Sequence, residues 1–147
     1  MRLIWSLVYL SAIGFACLSE GSFAESNANH SRWLPVGTTT TGAVTRFDAE
    51  TVDWDGTLAK VWVDTDYSKD KSRSYRSSKS HMEINCVSKE IRTTELMIYA
   101  PNGTISQSMH EPDSTFAAAV PDSIGESIVR GVCSFAKVAP YGVEPSH

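Results

Sequence analysis

The segment Pro121-Asp-Ser-Ile-Gly-Glu-Ser-Ile-Val-Arg-Gly-Val-Cys133 constrains the fold more than any other part of the chain. It reads as the one helix in a chain otherwise made of strands, and it ends in a cysteine. Ser123 followed three residues later by Glu126 is a capping box, in which each side chain satisfies a backbone N–H that the helix start leaves free. Pro121 keeps the preceding chain extended. At about 100° per residue, Ile124, Ile128, Val129, Val132 and Cys133 fall in one half of the cylinder, and Glu126, Ser127 and Arg130 in the other. Gly125 and Gly131 each cost roughly 1 kcal/mol against alanine in a helix interior. A helix this weak has to be held by packing and by a cross-link. Cys86 offers the second anchor. It closes the run His81-Met-Glu-Ile-Asn-Cys86, where Met82, Ile84 and Cys86 alternate with His81, Glu83 and Asn85, so the cysteine lies on the apolar side of a strand.

Whether those two thiols join depends on compartment. Arg2 precedes a run from Leu3 to Leu18 that is apolar except for two serines, too short and too early for a membrane span. Ser22-Phe23-Ala24 then places small residues at the positions of a cleavage site. Residues 1–24 are read as a signal peptide and Glu25 as the start of the exported chain. An alternative is acylation at Cys17, which follows Ala16, although Gly14-Phe15 departs from the usual lipobox. Under either reading Cys86 and Cys133 remain in an oxidising compartment, the periplasm or the outer cell surface, and a disulfide between them is expected. No further transmembrane segment is foreseen. The chain carries a net charge of −4, which argues against general nucleic-acid binding.

The rest of the chain alternates short strands and turns. Residues 25–31 form a polar leader, 32–138 the domain, and 139–147 a loose, proline-bearing tail. Trp33-Leu-Pro-Val36 begins the sheet at an edge, because proline cannot donate to a ladder. A turn-rich link, Gly37 to Gly42, leads into Ala43–Phe47, and Asp48 to Gly56 reads as an acidic loop. From Leu58 to Tyr67 the alternation is clearest, with Val61, Val63, Thr65 and Tyr67 facing one way and Lys60, Trp62, Asp64 and Asp66 the other. Ser68 to Lys79 reads as a long polar connection. Ile91–Tyr99 and Thr104–Met109 flank the hairpin signal Pro101-Asn-Gly103. The pattern predicts an α+β fold: a six-stranded antiparallel sheet with one C-terminal helix packed on it and tied by disulfide to a strand.

Catalytic chemistry is hard to find. His30, His81, His110 and His147 lack the spacing of a metal site, and Asp53-Trp-Asp55-Gly56 lacks that of an EF-hand loop. There is no Gly-x-Ser-x-Gly elbow, no glycine-rich phosphate loop and no Cys-x-x-Cys pair. The chain is read as a non-enzyme without cofactor or metal. What does stand out is Lys69, Lys71, Arg73, Arg76 and Lys79, five positive charges in eleven residues against a single Asp70, interleaved with Tyr67 and Tyr75. On an acidic chain this stretch is either a solvated connection or a surface for an acidic partner, with Tyr75 among its contacts.

The order Tyr75-Arg76-Ser77-x-Lys79, Glu83-Ile-Asn-Cys86, Ile91-Arg-Thr93, Tyr99 and Val120-Pro-Asp-Ser123 with Cys133 resembles the bacterial surface-adhesin protein E family, from about Trp33 to Phe135. The resemblance implies a six-stranded antiparallel sheet, a C-terminal helix and the corresponding disulfide. It also implies binding of host matrix or serum proteins such as vitronectin and laminin, with basic residues matching Lys71 to Arg76 implicated. Two function classes stay open: a protein-binding module using the basic stretch or exposed sheet edges, with a matrix or envelope protein as partner and a homodimer as a further possibility, and a structural or small-ligand carrier with its cleft between sheet and helix.

Overall fold

A computed structural model describes residues 31–138. The chain forms β1 (Trp33–Thr38), β2 (Val44–Asp48), a 3-10 helix (Ala49–Thr51), β3 (Asp53–Asp55) and β4 (Leu58–Asp66). These are followed by β5 (Ser77–Asn85), β6 (Glu90–Tyr99), β7 (Ile105–His110), β8 (Ala117–Ala118) and the helix α1 (Ile124–Val138). The main sheet runs in the order β1-β2-β4-β5-β6-β7, every neighbouring pair antiparallel, with β3 pairing β4 and β8 pairing β6. The signal peptide, Cys17, the leader as far as residue 30 and the tail from 139 lie outside the described residues.

The helix covers one face of the sheet. Ile128, Val129 and Val132 are buried against Phe47, Ala59, Val61, Val63 and Ile84, the inward set of β2, β4 and β5. Phe47 and Phe135 meet edge to face with ring centroids 5.6 Å apart. Gly131 lies over this contact: a Cβ there would stand 3.7 Å from Phe47, ordinary contact distance, so the glycine is not demanded by space. The cross-link is formed between Cys86 and Cys133, with Cα atoms 5.7 Å apart. Ser123 Oγ accepts from the Glu126 N–H at 3.2 Å, as a capping box requires. The return bond shifts by one residue: Glu126 Oε2 accepts from Asp122 N–H at 2.8 Å, because the Ser123 N–H already donates to the Val120 carbonyl.

Four expectations are corrected. The sheet has eight strands rather than six, the six expected ones making the continuous path and β3 and β8 adding to it. Asp53–Asp55, read as loop, turns back onto β4 through Gly56-Thr57, where Gly56 adopts φ 60°. Glycine at the first position of a two-residue loop is a hairpin signal the sequence carries, whereas Ala117–Ala118 is too short to show a period. The helix begins at Ile124 and continues to Val138, past the cysteine that was expected to end it. Finally, the polar connection stops at Arg76: Ser77, Ser78 and Lys79 already belong to β5. Small polar residues are accommodated there because Ser78 and Ser80 lie opposite Thr65 and Val63 in a buried strip.

Candidate functional site

The basic loop is a built structure. At its base the Tyr67 N–H donates to the Arg76 carbonyl at 2.7 Å, and the Arg76 N–H to Tyr99 on β6 at 2.9 Å. Inside it, Asp70 N–H donates to the Tyr67 carbonyl and Arg73 N–H to that of Asp70, two successive turns. Asp70 is the hub. It is only 6% exposed, and its carboxylate accepts from Ser72 N–H at 2.9 Å, Ser72 Oγ at 2.6 Å and Thr41 Oγ1 at 2.7 Å. The Asp-x-Ser spacing is an Asx turn, a signal legible in the sequence; the bond from Thr41, in the link between β1 and β2, is not. Gly42 completes the brace. It adopts φ 92°, and a Cβ there would come within 3.2 Å of the Lys69 side chain, so the link packs against the loop where only glycine fits.

These bonds stabilise the ionised form, and the Ser72 hydroxyl, then Thr41, hold the Asp70 carboxyl below its ordinary value. A carboxyl lowered in the folded state restrains the loop at every pH above the ordinary carboxyl value, and releases it as pH falls through the lowered one. The loop amides of Ser72 and Arg73 are therefore expected to stay protected from exchange near neutrality and to lose protection in strong acid. Asp70→Ala should remove that protection at neutral pH while leaving the strand amides unchanged. Undiminished protection in this variant would mean that other contacts hold the loop.

On this frame the cations form no direct ion pair among the described residues, although Asp70 lies in coulombic range of Arg73 and Asp66 in that of Arg76. The Arg73 guanidinium sits 6.0 and 5.8 Å from the ring centroids of Tyr67 and Tyr75, which contact each other edge to face at 4.9 Å. Lys71, Arg73 and Arg76 line an open groove of about 350 Å³ with those tyrosines and Asp70. Among the described residues no carboxylate lies within 4.0 Å of Lys69, Lys71, Arg73, Arg76 or Lys79, whereas Arg32, Arg46 and Arg92 are each paired, with Asp48, Asp64 and Glu83.

Lys79 does not share this site. Its place in β5 turns it onto the face of the sheet opposite the helix, where its ammonium lies 5.4 Å from the centroid of the Trp33 ring. His81, on the same face, stacks obliquely with Trp62 at 5.1 Å and bonds Thr94 Oγ1 through Nδ1 at 2.8 Å. Asp48, expected in an acidic loop, is instead the last residue of β2, buried and bonded by Arg32, with Nε 2.8 Å away; that bond chiefly holds its carboxyl below the usual range. Among the described residues no group of three or more His, Cys, Asp or Glu side chains is placed to hold a metal ion. A cleft of about 450 Å³ does lie between sheet and helix, lined by Cys86, Lys89, Pro121, Val129, Arg130 and Cys133.

The described residues thus form a disulfide-tied helix on an antiparallel sheet, with a braced basic loop at one end. The family model for Surface-adhesin protein E matches residues 33–134, and the chain belongs to that family. It is thus a surface-adhesin-like, exported or cell-surface protein. No curated protein and no solved structure gives a match to the chain. Among the described residues no helix is long and apolar enough to cross a membrane.

Proposed function

We propose that this protein is a non-catalytic, exported protein-binding module that engages an acidic surface of a matrix or envelope protein through the loop from Tyr67 to Arg76, in the periplasm or on the outer cell surface. The observation that carries this reading is the fixed loop whose four cations have no carboxylate partner among the described residues. Holding the loop in one geometry lowers the ordering cost of docking. Leaving the charges free speeds encounter with an acidic patch, and Arg73 against two tyrosines provides a central anchor of the residue types that dominate protein interfaces.

The test is charge reversal. Lys71→Glu, Arg73→Glu and Arg76→Glu together should leave the fold intact, since exposed changes typically move stability by no more than about 0.5 kcal/mol. Capture of acidic matrix or envelope proteins should be lost, and wild-type capture should weaken as salt shortens the screening length to about 8 Å and below. A captured partner indifferent to both the triple variant and salt would place the binding surface elsewhere. The carrier reading would put a ligand in the cleft beside Cys86 and Cys133, and that activity should survive the triple change.

A further inference from the structure

The sheet face opposite the helix carries a second feature that the basic loop does not account for. Asp64 on β4 lies directly across from Arg46 on β2 and from Lys79 on β5, so two cations flank one carboxylate. Arg46 takes it, with Nη2 2.6 Å from Oδ2. Lys79 is left without a carboxylate among the described residues, and its ammonium rests over the Trp33 ring instead. Around it Trp33, Trp62, Met97 and Tyr99 line a groove of about 330 Å³ whose far wall is the Arg32–Asp48 pair. Among the described residues the Tyr99 hydroxyl has only the weakly accepting Met97 sulfur as partner, at 3.8 Å. The groove therefore offers one cation without a carboxylate, a nearly free hydroxyl and two indole rings, with the satisfied Arg32–Asp48 pair in its lining.

We propose that this groove binds a small anionic ring compound, with its carboxylate on Lys79 and a ring face against Trp62, Met97 and Tyr99. The chemistry follows from the parts. A lone ammonium beside apolar aromatic walls favours a single negative charge. Flat half-buried rings favour a ligand with a planar or C–H-lined face. The volume stands at the low end of the range for ligand sites and suits one ring. Two sources share this chemistry, an acidic sugar of the uronic type and an aryl carboxylate. The site is distinct from the basic loop, so it stands or falls apart from the reading above.

The indole N–H resonances of the isotope-labelled exported protein provide the readout. Trp33 and Trp62 report on the groove, while Trp54, opposite Ala59 on the helix side of the sheet, is an internal control. Titration with glucuronic acid, glucose and indole-3-acetate is expected to shift Trp33 and Trp62 saturably with one or both acids, the responding acid identifying the source, and to leave Trp54 still. Lys79→Met should weaken that binding about tenfold, the effect of losing a single charged contact. Lys79→Arg should retain it, and Lys71→Glu, in the loop, should not affect it. Silence of Trp33 and Trp62 with both acids overturns the proposal, as does equal response to glucose and glucuronic acid, or undiminished binding by a Lys79→Met protein whose spectrum remains folded.

Discussion

Cys133→Ser is expected to lower the melting temperature by roughly 15–30 °C, the shift that about 4 kcal/mol produces in a domain of about a hundred residues. The Cys86–Cys133 bond spans 47 positions of sequence and encloses the whole of β6, β7 and β8 together with the first part of α1. Cutting it releases the unfolded chain from that loop, and it also frees a helix with Gly125 in its first turn and Gly131 in its interior. Cys86→Ser should have the same effect, and the double variant should be no worse than either, since both remove one bond. Dithiothreitol added to the wild-type protein should reproduce the loss. Thermal scans that differ by only a few degrees would show that packing alone holds the helix on the sheet.

Phe47→Ala should cost about 3–5 kcal/mol in denaturant unfolding, the usual range for truncating a buried aromatic side chain. Phe47 is 3% exposed, lies opposite Val63 on β4, and forms the edge-to-face contact with Phe135. Gly131 stands above its ring and has no side chain that could fill the space left. The helix cannot settle freely into the void while Cys133 holds its middle to Cys86, the residue that follows β5. Combined with Cys133→Ser, the loss would approach the whole stability of an ordinary small domain, about 5–15 kcal/mol, and the protein should be largely unfolded at room temperature. A cost below about 1 kcal/mol for Phe47→Ala would mean that the core recloses around alanine.

The helix, its cross-link and the six long strands were legible because each rests on a local rule. Ser123 and Glu126 mark a helix start whatever surrounds them, and Val61, Val63 and Thr65 alternate whatever they pack against. Cys86 and Cys133 were the only two cysteines beyond the expected cleavage site. Where local rules are weak the reading failed. Ala117–Ala118 has no period, and Ser77 to Lys79 is polar enough to pass for loop although the buried neighbour of its serines is a strand. Lys79 was grouped with Lys69, Lys71, Arg73 and Arg76 by distance along the chain, and strand pairing sets it apart from them, on the sheet face opposite the helix.

The sequence by itself determined which residues bury, which cysteines can join, and that a dense patch of positive charge interrupts an acidic chain. Only the tertiary structure decided which of those charges are free. Asp70 could not be known as the loop's anchor until Thr41, twenty-nine positions away, was brought to it. Asp64 could have paired with either neighbour, and the register of β2, β4 and β5 set both beside it before Arg46 took it and left Lys79 over Trp33. Hydrophobic period is a property of consecutive residues, whereas the partner of a charge is chosen by distance in space, which strand order and register set.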